Sequence, residues 1–374
     1  MQKRVVIVDI SHLCYKAAYG AIPAMSASLM VGGVMQTVNT VIPTFVTKRI
    51  HTWSRGGYYP IVACFDSRGA NKSRNAYFAQ QYGVDMSGSV KSYKGGRKSE
   101  DDIFYSSVNL TANLLHSAGV CCLKSDKYEA DDLIKAAVDR AKVQYPDCPI
   151  DIVTGDVDLV PLVDDQVSVF LASKKMTWAE SEDIEKKKYV QLTPYNYQEY
   201  MESLTAFKNL HVPYNTVLLA KLLRGDKSDG VAGYPKFTPT KFRNLLYALE
   251  DDGYDISDMF RYDNPTMTVC YRDTGEPIPD DLIDTVPNEN KMVKYGEPPK
   301  LTNMCEVLSD YLEDDVIEHI RFVYNGINLN GAFLDMPDMF KRRPAQLTID
   351  IKGYEDVELR KVLCPLRINL PLNV

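Results

Sequence analysis

Five short apolar runs constrain this chain most: Val5–Asp9, Tyr59–Asp66, Val120–Lys124, Ile150–Thr154 and Val167–Ala172. Runs that stay apolar without alternating read as strands buried on both faces, the pattern of a parallel sheet under helices. The segments between them are long enough for crossover helices, so residues 1–172 are predicted to form a doubly wound α/β domain. Residues 174–250 read as mostly helical. Pro213 opens a helix over Tyr214–Arg224, and Thr238-Pro239 signals the start of another that runs through Leu249. The glycine-containing turn between them suggests a helix–hairpin–helix unit. Residues 251–300 carry six prolines and read as a loop-rich insert; residues 301–374 contain one predicted helix, about Asn303–Tyr324.

Three of the runs end in or just before aspartate: Asp9, Asp66 and Asp156. In an open parallel sheet, functional groups gather at the carboxyl ends of the strands. Three such carboxylates would repel one another unless a cation sat between them. Glu129, Asp131 and Asp132 open a helix, Asp158 follows Asp156 by two residues, and Asp226 and Asp229 flank Lys227-Ser228. Each has a purely structural reading. Asp126 and Glu129 have capping-box spacing, Asp131 and Asp132 suit a helix N-terminus, Asp158 could be an N-cap, and Asp226 and Asp229 could form turns beside Gly225 and Gly230. Taken together, nine carboxylates with no accompanying His or Cys point to a hard, oxygen-seeking ion, Mg²⁺ or Mn²⁺. Two such ions, about 3.5–4 Å apart, can clamp the attacking and leaving oxygens of a phosphodiester.

The charge balance fits this. The net charge is −7, and residues 251–300 alone supply it, with 12 acidic and 5 basic side chains. The rest of the chain is neutral overall, so a nine-acid site there implies a basic surface around it. The eight cysteines contain no C-x-x-C pair and the five histidines show no metal spacing, so free thiols in a reducing compartment are expected and zinc is not. Ala17–Thr47 has no charge over 31 residues, but prolines and glycines interrupt it, so it does not read as a membrane span. The first ten residues are too short an apolar run for a signal peptide. A soluble, cytoplasmic protein is expected.

Residues 66–98 carry Arg68, Lys72, Arg74, Lys91, Lys94, Arg97 and Lys98, with Tyr77, Phe78, Tyr82 and Tyr93 interleaved. Cations contact phosphates and aromatic rings stack on unpaired bases. In isolation the composition also fits a solvated basic loop, the lesser of the two readings.

With these motifs in order, the sequence resembles the phage and bacterial 5′-nucleases: flap endonucleases and 5′→3′ exonucleases of the PIN-like fold, including the phage ribonuclease H type. The residues that carry the resemblance are Asp9, Asp66 with Arg74, Tyr93-Lys94-Gly95-Gly96-Arg97, Glu129-Ala130-Asp131-Asp132, Thr154-Gly155-Asp156-Val157-Asp158 and Gly225-Asp226-Lys227-Ser228-Asp229-Gly230, across roughly residues 1–250. The resemblance implies a PIN-like core over 1–205 with a helical arch at about 67–105, a helix–hairpin–helix over 206–250, and an extension over 251–374. It implies that Asp9, Asp66, Glu129, Asp131 and Asp156 hold or border a first ion, and that Asp132, Asp158, Asp226 and Asp229 serve a second. Lys94 and Arg97 would grip the scissile phosphate, with Arg74 lining the same gateway. Tyr93, Lys91, Lys98, Lys236, Lys241 and Arg243 would contact DNA, and Ala21–Met35 would brace a duplex end. A K⁺ ion at the helix–hairpin–helix is the family's habit, but the turn Gly230–Lys241 is longer than the family's Gly-x-Gly and argues against one.

The implied partner is DNA with a 5′ end or flap, or an RNA–DNA hybrid, bound by a monomer; a sliding clamp or single-strand-binding protein enters only by analogy. Free-standing length suggests a phage enzyme working in host cytoplasm on replication, repair or recombination. The alternatives are a PIN-like single-strand ribonuclease, which needs fewer acids, and a noncatalytic junction-binding protein, which would have lost some.

Overall fold

The structure is a computed structural model. It describes residues 4–20, 24–31, 34–55, 58–70, 72–82, 101–126, 128–172, 189–197, 200, 217–226, 230–235, 237–254, 267–283, 285–295 and 299–327. They fall into two compact units, one within Met1–Tyr197 and one within Gln198–Asn330.

The first unit is a six-stranded sheet. Its strands are β1 (Arg4–Asp9), β4 (Tyr58–Phe65), β5 (Cys121–Lys124), β6 (Ile150–Thr154), β7 (Val167–Ala172) and β8 (Tyr189–Leu192), in the order β5-β4-β1-β6-β7-β8. All neighbours are parallel except β7 and β8. The five predicted strands are all present. Helices α1 (Ile10–Ala18), α2 (Val41–Arg55) and α4 (Asp102–Ser117) cover one face, where Val6, Val8, Ile61, Ala63, Phe65 and Val153 join Leu13, Ile42, Val46 and Leu115 in one core. Helix α5 (Ala130–Gln144) lies against β1 and β4 and turns Leu133, Ile134, Ala137, Val138 and Ala141 inward. Burial on both faces is why these strands read as unbroken apolar runs. Helix α3 (Lys72–Tyr82) turns Arg74 and Phe78, one turn apart, to the interior.

Between α1 and α2 the chain forms a hairpin, β2 (Ser26–Val31) and β3 (Val34–Asn39), with Met30 opposite Met35 and Val31 opposite Val34. The Gly32-Gly33 pair between two uncharged β-rich runs is its sequence signal. Strand β8 corrects the helical reading of the segment after residue 174.

The second unit contains α6 (Val217–Arg224), a short ribbon of β9 (Gly225–Asp226) with β10 (Val231–Ala232), and α7 (Pro239–Asp251). Thr238 caps α7 as expected, its hydroxyl accepting the Lys241 N–H at 3.2 Å. Gly225 has φ +73°, and a Cβ there would run into the backbone of Val231 and Gly233, so the ribbon closes only around glycine. The stretch expected to be a loop-rich insert contains a hairpin, β11 (Met267–Tyr271) with β12 (Lys291–Tyr295); three of its six prolines, Pro277, Pro279 and Pro287, lie in the connection. The single helix expected over Asn303–Tyr324 is two, α8 (Pro299–Leu308) and α9 (Asp314–Ile327). Ser309 and Asp310 favour a break, and the acids Asp314 and Asp315 favour a fresh helix N-terminus. Tyr234, from the connection before α7, donates its hydroxyl to Asp315 at 2.5 Å and sets its ring edgewise on His319, with centroids 5.6 Å apart.

The far end of the sheet, away from the strand-end aspartates, is closed by a two-pronged ion pair. Arg4 donates to both carboxylate oxygens of Asp151 at 2.7 and 2.8 Å, and Asp151 is 1 % exposed. Burial pushes the Asp151 carboxyl up from its ordinary range, with Arg4 pulling the other way. Replacing Arg4 with Ala should cost about 3 kcal/mol at neutral pH, because it strands a buried charge. The deficit should shrink on acidification as Asp151 takes a proton, which urea unfolding at about pH 7 and pH 4 would measure.

Candidate active site

Strands β4, β1 and β6 lie side by side at the centre of the sheet, and their carboxyl ends carry Asp66, Asp9 and Asp156. Asp9 is buried and serves as N-cap of α1, Oδ1 accepting the His12 N–H at 2.9 Å. Its Oδ2 accepts the Thr154 hydroxyl at 3.0 Å, and the same hydroxyl accepts the Asp156 N–H at 3.0 Å. The register dictates this: Val8 is level with Val153, so the next pair is Asp9 beside Thr154. Ser11, in the first turn of α1, accepts the Asp66 N–H at 2.7 Å. Two buried hydroxyls, Thr154 and Ser11, thus tie the central acid to its neighbours.

Asp66 reaches across to α5, Oδ1 accepting the Ala130 N–H at 2.7 Å, where a helix N-terminus favours negative charge. Asp156 caps the 3₁₀ turn Val157–Leu162 and accepts the Asp158 N–H at 2.9 Å. Gly155, between Thr154 and Asp156, lies against His12; a Cβ there would collide with the imidazole. Burial lowers the His12 pKa to about 4, aided by Lys16 nearby, so the ring is neutral near physiological pH. Its Nε2 is buried with no hydrogen-bond partner among the described residues.

The remaining acids sit on α5. Glu129 is its N-cap, and Asp131 and Asp132 occupy its first turn. The capping box runs from Glu129 to Asp132, not from Asp126, and the Asp132 Oδ2 accepts the Glu129 N–H at 3.0 Å. Arg74 is 4 % exposed and holds both carboxylates, pairing with Glu129 and, at 2.6 Å, with Asp132 Oδ1.

The electrostatics are those of a crowded acid site. Burial raises the Asp9 pKa to about 7, and the charges of Asp66 and Asp156 push the same way against the hydrogen bonds from His12 and Thr154. Burial also raises Asp132 to about 6, opposed by Arg74. Among the described residues no three Asp, Glu, His or Cys side chains stand ready-made to chelate a metal. Yet the donor set is all oxygen, and its central member is held partly neutral by burial and by its neighbours' charge, which is the condition a hard divalent ion relieves. The side chains fit such an ion.

Seven of the nine candidate metal acids belong to this unit. Asp226 belongs to the other unit, on β9, ion-paired to Lys221 at 2.9 Å. Lys241 is exposed on α7 and Arg243 half-buried beside it. Lys91, Tyr93, Lys94, Arg97, Lys98, Asp229 and Lys236 lie outside the described residues. Sequence reading missed Ser11 and Thr154, whose signal was a polar residue beside or inside a buried run. It also missed Lys16 and Arg49. Lys16 sits over the Tyr189 ring at 5.7 Å, and Arg49 over Phe45 at 5.4 Å.

A mostly parallel α/β sheet with acids gathered at its central strand ends defines the class: a carboxylate-centred PIN-like domain. Residues 4–189, just under half of the chain, match the family described as "5'-3' exonuclease, N-terminal resolvase-like domain". DNA polymerase I of Mycobacterium tuberculosis is 28 % identical over 233 residues, covering 62 % of this chain and 21 % of the polymerase. Thermostable DNA polymerase I of Thermus filiformis is 26 % identical over 231 residues, covering 62 % and 22 %. The chain thus spans about a fifth of the length of these curated relatives. Among solved structures, bacteriophage T5 5′-exonuclease with bound zinc ions superposes with a TM-score of 0.46 at 12 % identity, covering 88 % of this chain and 93 % of that one. No helix among the described residues is long and apolar enough to cross a membrane.

Because the folded-state pKa of Asp9 lies near 7, above the ordinary 3.8, the fold favours its protonated form. That contribution to stability is complete below about pH 4 and is lost as the pH rises through 7. In chelator at about pH 8, Asp9→Asn should therefore melt at a higher temperature than the parent chain. The difference should shrink as the pH falls through 7 and vanish only below about pH 4. Melting curves across that range check it.

Proposed function

We propose that this chain is a divalent-metal-dependent 5′ nuclease that hydrolyses phosphodiesters at 5′ ends or flaps of DNA, or of RNA primers on DNA, in replication, repair or recombination. The observation that carries this reading is the buried Asp9 carboxyl flanked by Asp66 and Asp156 at adjoining strand ends, within a domain that matches the 5′-3′ exonuclease family. Asp9, Asp66, Glu129, Asp131 and Asp156 would hold or border one ion; Asp132, Asp158, Asp226 and Asp229 would serve a second. Mg²⁺ or Mn²⁺ bound there would lower the pKa of water and offset the charge that builds on the reacting phosphate.

The chain's own part is to position and to exclude. Thr154 holds the Asp9 carboxylate and Ser11 the Asp66 backbone N–H, so little reorganisation accompanies substrate binding. Lys94 and Arg97 neutralise the scissile phosphate. Tyr93 stacks on a frayed base, Lys91 and Lys98 hold the single strand, and Lys236, Lys241 and Arg243 hold the duplex backbone. The organisation that goes with this is a nuclease core over 1–205 containing an arch at about 67–105, a DNA-binding unit over 206–250 and an extension over 251–374. A monomer working in the cytoplasm, that of the host if the source is a phage, completes the reading.

The direct test is cleavage of a 5′-labelled flap duplex, beside single strand and blunt duplex, in Mg²⁺ and in EDTA. Short 5′ products from the flap, abolished by EDTA, are expected; tight flap binding without cutting in Mg²⁺ or Mn²⁺ would contradict the reading. Asp156→Ala should abolish cleavage while circular dichroism and most DNA affinity stay unchanged. Lys94→Ala should slow the single-turnover rate by more than it weakens duplex binding, and an unaltered rate would remove Lys94 from the phosphate.

A further inference from the structure

Arg74 does more than line an entrance. Its guanidinium lies between two of the carboxylates that the nuclease reading gives to metal, pairing with Glu129 and with Asp132 Oδ1 at 2.6 Å. The Arg74 side chain is 4 % exposed and the two acids 8 % each, so the three charges sit together away from solvent. The other oxygen of Asp132 accepts the Glu129 N–H at 3.0 Å, so both oxygens of that carboxylate are committed within the protein. The strand-end acids differ. Asp66 gives Oδ1 to the Ala130 N–H and Asp156 gives Oδ1 to the Asp158 N–H, while their second oxygens have no hydrogen bond among the described residues. The site is therefore uneven. At the strand ends, like charges face one another with lone pairs to spare; at the head of α5, a monovalent cation is built in.

We propose that Arg74 is a resident cation that competes with divalent ions for Glu129 and Asp132, so that the strand-end carboxylates load first and the α5 carboxylates load only as Arg74 lets go. This rests on the metal-nuclease reading. A divalent ion bound directly to Asp132 must take an oxygen from the guanidinium, and two cations cannot share so small a buried space without repulsion. Arg74 is on the inner face of α3, so the second ion also frees the contact that pins α3 to α5. Substituting a neutral side chain leaves two buried acids uncompensated and raises their demand for a cation.

The test is calorimetric titration of the DNA-free full chain with Mn²⁺, comparing the parent with Arg74→Gln and Arg74→Lys. The parent should take up one equivalent tightly and a second weakly. Arg74→Gln should tighten the second by about tenfold or more, while Arg74→Lys, which keeps the charge, stays near the parent. A second equivalent equally weak in Arg74→Gln and in the parent would overturn the proposal. If Arg74→Gln does not fold, the parent still decides it. The guanidinium nitrogen resonances of Arg74, slowed by two-pronged pairing, should persist through the first equivalent of Mg²⁺ and change with the second. A change already complete at the first equivalent would overturn the loading order. Failure of any of these chains to take up a divalent ion would instead sink the metal-nuclease reading itself.

Discussion

Repulsion between carboxylates at three adjoining strand ends is the constraint on which the rest of this structure turns. Asp9 sits at the middle, buried, with the charges of Asp66 and Asp156 on either side. A fold tolerates such a cluster only if each carboxylate is held and the cost is recovered elsewhere. Here the holding groups are all local to the sheet's carboxyl edge: the first turn of α1, the Thr154 and Ser11 hydroxyls, and the N-terminus of α5. The recovery comes from a sheet covered on both faces, whose central strands are almost completely buried. The stable part of the molecule and its strained part are the same three strands.

The two ends of the site manage charge differently. At the strand ends the acids face one another, and neutral hydroxyls and backbone N–H groups orient them without cancelling their charge. At the head of α5 a buried arginine cancels it. This asymmetry separates carboxylates that await a cation from carboxylates that already have one. It also links α3, which lies within the basic segment, to α5.

Much of this was legible in the sequence for physical reasons. Strands buried on both faces cannot alternate, so five of the six strands of the central sheet appeared as unbroken apolar runs. Thr238-Pro239 announced α7 because capping and proline chemistry act within one turn. What escaped depended on context. The β2–β3 hairpin hid in an uncharged stretch read for what it was not. Strand β8 is four residues long at the end of a segment that read as helical. The β11–β12 hairpin was masked by the prolines of its own connection, and the two helices α8 and α9 merged into one because a break of five residues preserves an apolar face. The strand-end acids stood out one by one, but their partners did not. Thr154 looked like any β-branched strand residue, and its role follows from register. Arg74 looked like one cation in a basic loop, yet its partners lie 55 and 58 residues further on.

The central claim is that Asp9 is held partly protonated by its burial and, beyond that, by the charges of Asp66 and Asp156, and that a divalent cation removes that burden. It is tested most directly by following the carboxyl carbon resonance of Asp9 against pH in selectively ¹³C-labelled protein, first in chelator and then in Mg²⁺. In chelator the carboxyl should titrate near pH 7, far above an ordinary aspartate, and in Mg²⁺ it should be ionised down to well below that. An Asp9 that titrates near 4 in chelator and does not respond to Mg²⁺ would contradict the account.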